Sequence, residues 1–395
     1  MKNLKIMKRN NYHVLVSVLT VLIANTLSQQ KTIEDIMREE QETMRQIQQE
    51  TLDYRREVSE EMRLYQEQIS REYEAYEAEQ RRQLEEMERE ILRKWEEFRQ
   101  DTREENVEYS ADRNARSSVN YKEGTVEVEV IADANDPQAE QKAQAEIQKK
   151  LADIAKRKNT DQQLQTSQGT AVTPTNSESF AKEVVQKQDV RAVTYKARDG
   201  QERTKYSVKV TMVPNHIQIR AGDFKDEVGK QAKRFDIDPT VAMAIMHTES
   251  YFNPRAKSHI PAYGLMQLVP KSGARDAYIY IYKKDRLLKS DYLYIPPNNI
   301  ELGCAYIAMN RHRYFKGIND DEKAYLCVIA AYNTGPGNVA KALTGSTSLK
   351  AAVGVANQHD TAWLRRKLLN DLPYNETKDY LKKVTERSTL YQGWL

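Results

Sequence analysis

The sequence predicts a mainly α-helical protein in three parts: a long N-terminal coiled-coil helix, a small α+β module and an all-α C-terminal domain. Three observations predict it. Pro is absent before Pro137 and Gly124 is the only Gly among the first 168 residues, so the N-terminal third lacks the residues that interrupt helices. Beyond Asp112 the apolar period changes from helical to alternating. After residue 215, short apolar helical patterns are separated by turn signals such as Asn253-Pro254 and Gly335-Pro336-Gly337. The expected parts are residues 1–28, 29–105, 106–214 and 215–395, the first being a leader.

Composition narrows the function classes. The 395 residues include 61 Lys or Arg and 58 Asp or Glu, a net charge of only +3, which argues against a nucleic-acid binder. With 39% hydrophobic residues a sizeable core is within reach, and collagen-like, disulfide-scaffold and transmembrane classes are excluded. Lys2, Lys5, Lys8 and Arg9 precede an 11-residue apolar run, Val14 to Ala24, and then the small polar Asn25, Thr26 and Ser28. That is the pattern of an export signal, and the run is too short to span a bilayer, which needs about 20 residues. The alternatives are an uncleaved anchor, the one route to membrane attachment, or a buried helix. No Cys follows the run, so no lipid-anchor cysteine is expected. Cys304 and Cys327 lie in apolar helical patterns and read as buried thiols, with a bridge left open.

From about Lys31 to Arg103 the chain reads as one charged helix. Apolar or pseudo-apolar positions run first at heptad spacing through Met37, Met44, Thr51 and Val58. The stripe continues through Met62, Tyr65, Ile69, Tyr73, Tyr76, Gln80, Leu84, Met87, Ile91, Trp95 and Phe98 in an 11-residue repeat, whose period of about 3.67 residues per turn keeps it nearly straight. A helix with such a stripe and no core of its own is expected to bury it against a partner, most simply a second copy in a homo-oligomer. The alternative is a single solvated helix held by Glu–Arg pairs.

In the module, Ser117 to Tyr121 and Thr125 to Ile131 form a hairpin around Glu123-Gly124, with Val126, Val128 and Val130 inward and Glu127 and Glu129 on a wet face. A helix from Pro137 to about Lys156 carries the stripe Ala143, Ile147, Leu151 and Ile154. Residues 161–179 read as a polar, structureless, flexible loop, followed by strands at Val190 to Ala197 and Thr204 to Val213 that turn through Asp199-Gly200. No spacing there suggests chemistry.

The chemistry is expected after residue 215. Asp238 as N-cap and Pro239 at the first position open a helix that Asn253-Pro254 ends. Val241, Ala242, Ile245, Met246 and Phe252 form its apolar stripe, and Glu249 falls in the middle of it. The plain reading is a structural Glu paired with an Arg. The functional reading is that burial and the negative end of the helix dipole disfavour the anion, raise the pKa and make Glu249 a candidate general acid. The histidines show no metal-binding spacing, and neither metal nor cofactor is expected.

Around Glu249-Ser250 stand Asn253-Pro254-Arg255-Ala256-Lys257-Ser258, Gly264-Leu265-Met266-Gln267, Asn299-Ile300-Glu301-Leu302-Gly303, Ala331-Tyr332-Asn333, and Tyr374-Asn375-Glu376-Thr377 with Tyr380. In that order they resemble the lytic murein transglycosylase family. The resemblance covers about residues 220–390, with a weaker one over 95–214, and the Tyr-rich insertion Tyr278 to Pro297 fits one membrane-bound subgroup. It implies a fold similar to goose-type lysozyme and a periplasmic or cell-envelope location. It further implies cleavage of the MurNAc-GlcNAc β-1,4 bond of peptidoglycan glycan strands without water, leaving 1,6-anhydro-MurNAc ends. This sequence departs from that subgroup in two ways: it has no lipid-anchor cysteine, and it carries a long N-terminal coiled coil that the resemblance does not imply.

By that resemblance Glu249 is the acid and then the base. Ser258, Gln267, Tyr332 and Asn333 look like hydrogen-bonding groups around the scissile sugar, Met266 like its apolar wall, and Tyr380 like a hydroxyl orienting Glu249. Each has a plain alternative: Tyr332 and Tyr380 as core aromatics, Asn333 as a helix C-cap, Gln267 as a loop hydrogen bond. Glu376 reads as a partner of a nearby Arg. Two-carboxylate hydrolysis would need a second acid, for which only Asp276 or Asp285 offers itself. A hydrolytic muramidase and a wall-binding scaffold without turnover remain as alternatives.

Overall fold

The computed structural model of the protein describes residues 33–187, 190–259 and 261–394, so the expected signal in residues 1–28 lies outside the described residues. It divides into two units, residues up to 75 and residues 76–395. A single helix, α1, runs over Ile33–Lys94 with acidic residues in its first turn and Arg93 and Lys94 in its last, as the helix dipole favours. In the first unit its surface carries pairs such as Arg63 with Glu60 and Gln49 with Asp53. Met37, Met44, Met62 and Tyr65 of the stripe are at least half exposed.

The second unit begins with the rest of α1, whose end differs from expectation. The helix stops at Lys94 and not near Arg103, because the last residues of the stripe are taken by the sheet. Trp95 donates its indole N–H to the Arg113 carbonyl at 2.7 Å, and the Tyr195 hydroxyl donates to the Lys94 carbonyl at 2.6 Å, satisfying a helix-end acceptor. Ile91 and Trp95 form a small core with Ile131, flanked by Met87, Phe98, Tyr109 and Tyr195. This end of the stripe therefore needs no second copy.

The sheet is five-stranded and antiparallel, in the order β1-β2-β3-β5-β4, with β1 Glu105–Tyr109, β2 Ala115–Asn120, β3 Thr125–Asp133, β4 Arg191–Lys196 and β5 Glu202–Thr211. Strand β1 was not expected. Its ENVEY stretch has little alternation and is recruited by pairing with β2 in the register Val107↔Ser118. Val126, Val128 and Val130 face helix α2 (Ala139–Ala155), whose Ala143, Ile147, Leu151 and Ile154 are all buried, as the patterns predict.

The opposite face departs from the wet surface expected of it. Glu129 is buried beneath the chain leaving α1, accepting from Arg116 at 2.6 Å, while Arg99 pairs with Glu127 at 3.0 Å. Arg116, itself fully buried, lies 4.7 Å over the Trp95 ring. The stretch 161–179 is not structureless either. Leu164 and Val172 are buried in the module's core, Gln165 bridges Ala171, and a helix, α3 (Ser177–Lys187), contributes Phe180 and Val184.

The C-terminal part is all helical: α4 His216–Phe235, α5 Pro239–Ser250, α6 Arg275–Tyr282, α7 Ser290–Leu293, α8 Pro296–Met309, α9 Asp321–Thr334, α10 Pro336–Thr344, α11 Leu349–Gln358, α12 Thr361–Asp371 and α13 Asn375–Thr389. One apolar core joins them, and α5 sits inside it. Arg220 of α4 fastens this part to the module: fully buried, it donates to the Tyr121 carbonyl at 2.6 Å, to the Gln163 side chain and to the Tyr251 carbonyl at 3.2 Å. Cys304 and Cys327 are buried free thiols. Among the described residues no helix is long and apolar enough to cross a membrane.

The position of Trp95 has a measurable consequence. Trp95→Ala should lower the unfolding free energy by about 3 kcal/mol, read by circular dichroism in urea, because it empties a filled core site. A position on a solvated helix would cost almost nothing.

Candidate functional site

The site is built around the last turn of α5. The Asp238 side chain accepts from the Thr240 N–H at 2.8 Å and starts the helix, with Pro239 at its first position, as expected. Twelve residues later the helix ends with Tyr251 and Phe252 in the left-handed region. The short α5 is buried on nearly every side, so Glu249 is carried into the core with 6% of its surface exposed.

Burial is the main force on this carboxyl group and pushes its pKa up to about 7. Arg103 opposes the rise from 3.6 Å, and the Tyr380 hydroxyl opposes it more weakly. The buried Tyr380 hydroxyl approaches the carboxylate without completing a hydrogen bond of normal geometry. Glu376 adds a smaller upward push, and it is an exposed residue tied to Arg103 at 3.4 Å. Tyr332 belongs to the same cluster: burial and the Glu249 charge hold its hydroxyl protonated. Such a carboxyl group can keep a proton at neutral pH, deliver it and take one back. His247, on the far side of α5, stays neutral because burial pulls its pKa down to about 3, and it meets the Tyr391 hydroxyl at 3.0 Å.

The loop after α5 is shaped by the short motifs. Gly264 has φ of +77°, and a Cβ there would stand 2.3 Å from the Leu293 carbonyl oxygen. Asn299 accepts from the Met266 N–H at 2.8 Å and donates to the Leu293 and Tyr263 carbonyls at 2.8 and 2.9 Å. The Ser250 hydroxyl donates to the Leu265 carbonyl at 2.7 Å, fastening this loop to the residue beside the acid. Tyr332 donates to the Met266 carbonyl at 2.8 Å, fastening it to α9 as well.

Of the residues singled out in the sequence, Glu249, Tyr332 and Tyr380 come together. Gln267 sits in the fastened loop, its amide N–H groups donating to the Ala256 and Gly264 carbonyls at 3.0 Å each. Asn333 is half-buried and still helical. The cap position falls on Gly335, and the Asn333 side-chain oxygen Oδ1 accepts from the Thr377 hydroxyl at 2.7 Å, joining α9 to α13. Ser258 lies in the turn before Tyr263, its hydroxyl accepting from the Ala262 N–H at 3.3 Å. Met266, expected as an apolar wall, lies in the same loop. Its side chain is fully buried, and a Cβ on Gly303 would lie 2.1 Å from its sulfur, so it supports the loop from beneath. Asp285 is engaged by Arg275 at 2.5 Å, and neither it nor Asp276 is among the charges acting on Glu249. Arg103 was missed. It falls at the end of the expected helix, beyond the last stripe residue Phe98, and no spacing in the sequence points to it.

The fold and site thus define a helical protein with one carboxylic acid kept protonated in a tyrosine-lined core beside a rigid loop. Residues 226–353 match the family described as the transglycosylase SLT domain. The chain is 31% identical over 303 residues to the membrane-bound lytic murein transglycosylase C of Klebsiella pneumoniae, covering 72% of this chain and 81% of that relative. It is 36% identical over 197 residues to the protein of the same name in Cronobacter sakazakii, covering 50% of this chain and 54% of that one. Among solved structures, the 70 kDa soluble lytic transglycosylase of Escherichia coli matches at 24% identity and a TM-score of 0.34, over 45% of this chain and 26% of that chain. The chain belongs to the lytic murein transglycosylase family.

Two expectations follow for stability. Gly264→Ala should cost at least about 2 kcal/mol in chemical denaturation, since the added Cβ meets backbone and the left-handed φ is strained. The raised pKa of Glu249 favours the fold below its ordinary value of 4.5, and that contribution is lost as pH rises through about 7. Glu249→Gln should therefore unfold at a higher temperature than the wild type at about pH 8 and show little advantage at about pH 4.

Proposed function

We propose that the protein is a peptidoglycan lytic transglycosylase in which Glu249 serves as acid and then as base. The observation that carries this reading is a lone carboxyl group, buried at a helix end and protonated near pH 7, within a chain of the transglycosylase family. Glu249 gives its proton to the glycosidic oxygen between MurNAc and GlcNAc as the C1–O4 bond breaks, with the positive charge at C1 shared by the substrate's own N-acetyl group. The carboxylate then takes the proton of the MurNAc 6-hydroxyl as O6 bonds to C1, closing the 1,6-anhydro ring and restoring the acid. No water enters. Tyr332 and Tyr380 border the acid, while Gln267, Asn333 and Ser258 supply hydrogen-bonding groups for the sugars from the loop and the end of α9.

A hydrolytic route would need a second carboxylate free to activate water. Among the described residues the carboxylate acting on Glu249 is Glu376, which is exposed and held by Arg103, so the transfer route is favoured. The relatives' names point to a membrane-bound setting in the cell envelope, and the leader read from the sequence suits export there. The exposed stripe of the first unit suits assembly with a second copy of the helix.

In digests of purified peptidoglycan with the full chain, Glu249→Gln should release muropeptides at least about a thousandfold more slowly than the wild type while remaining folded. A folded Glu249→Gln that keeps its activity would remove the assignment. Wild-type activity should decline as pH rises above about 7, where the acid loses its proton.

A further inference from the structure

Arg103 does not belong to the helical part that holds the acid. It comes from the chain between α1 and β1, and that chain is pinned on both sides. Asp101 accepts from the Val107 N–H at 2.8 Å and from the Asn106 side chain at 2.9 Å, tying the segment to β1. The Thr102 carbonyl accepts from the Lys257 N–H at 3.3 Å, tying it to the loop after α5. The Thr102 hydroxyl accepts from the Glu105 N–H at 2.9 Å, which fixes the turn in which Arg103 sits. An exposed arginine on a loose chain would contribute little, but this one starts from a fixed backbone.

Resting on the assignment of Glu249 as the acid, we infer that Arg103 is a positioning residue of the reaction, supplied by the sheet module to hold the Glu249 carboxylate and share its charge with Glu376. Its guanidinium donates to Glu376 at 3.4 Å and lies 3.6 Å from Glu249, a reach to the acid that suits charge attraction better than a closed hydrogen bond. Protonated Glu249 is neutral and draws weakly on it. Once the proton has gone to the leaving oxygen, the new carboxylate finds a cation already in place, and when the 6-hydroxyl proton returns the attraction lapses. Glu376 balances the cation while the acid is protonated.

The charged and titratable groups around α5 are few. Arg103 faces Glu249 from the segment before β1, Tyr380 and Glu376 from α13, and Tyr332 from α9. Arg387 of α13 and Arg220 of α4 act on His247 on the other side of α5, and Glu301 of α8 is engaged by Arg234 and Tyr282. Arg103 is thus the cation that acts most strongly on the acid.

The test is the pH profile of glycan-strand cleavage by the full chain in the wild type, Arg103→Ala, Arg103→Lys and Glu376→Gln, with thermal unfolding as a control. The descending limb near pH 7 should move up by about one pH unit in Arg103→Ala, stay near the wild type in Arg103→Lys, and move down by less in Glu376→Gln. If Arg103→Ala is too slow to profile, the same effect is read in stability: its deficit against the wild type should grow between about pH 5 and pH 8, as the anion it no longer balances forms. An unmoved limb and a constant deficit in Arg103→Ala, with Glu249→Gln inactive, would overturn the role of Arg103 alone. An active Glu249→Gln would overturn the assignment of the acid itself.

Discussion

The burial of one carboxyl group is the constraint on which the rest of this structure depends. A charged Glu249 at the centre of an apolar core would be costly, and burial raises its pKa to about 7, so that a carboxyl group ordinarily ionised well below neutrality still carries a proton there in part. Everything around the group preserves that balance. The flanking aromatic hydroxyls remain protonated, the one nearby cation stays at arm's length, and the loop beneath is held by Asn299, Ser250 and Tyr332 so that its shape does not drift. The stability consequence is opposite to that of a salt-bridged acid, since here the ionised form works against the fold.

The sheet module is joined to the helical part by charge and backbone contacts that reach the site. Arg220 is buried with carbonyl and amide acceptors from the module, and Gly124 approaches His216 so closely that a Cβ would lie 2.6 Å from the ring. Residues 76–395 accordingly form one unit. The segment carrying Arg103 is braced by the sheet and by the loop after α5 together, so a helical part cut free at residue 215 would lack both that cation and the Tyr121 and Gln163 partners of Arg220.

Where one neighbourhood decides the outcome, the sequence was legible. Asp238-Pro239 and Asn253-Pro254 delimit α5, the valines of β3 and the stripe of α2 fall on facing surfaces, and the interruption of an apolar stripe by Glu249 marked the residue around which the tyrosines gather. Long-range placement was not legible. Glu129 alternates like a solvated residue until Arg116 and the chain after α1 cover it, and Trp95 continues a helical stripe until Tyr109 and Ile131 draw it into the sheet. Leu164 and Val172 are isolated apolar residues in a polar stretch, each buried through a partner far along the chain. Nothing local shows where the Met266 side chain goes, and Gly303, 37 positions later, opens the space that receives it. Arg103 is the same problem in its simplest form, a charged residue among charged residues whose role comes from the fold alone.

The central claim is that a single acid closes an anhydro ring without water, and the most direct measurement is the oxygen balance of the product. Peptidoglycan digested by the full chain in water enriched in heavy oxygen should yield anhydro ends that carry no label and are lighter by one water than the corresponding reducing ends. Labelled reducing ends appearing at the rate of cleavage would contradict the account, because water would then be the nucleophile and a second group would have to activate it.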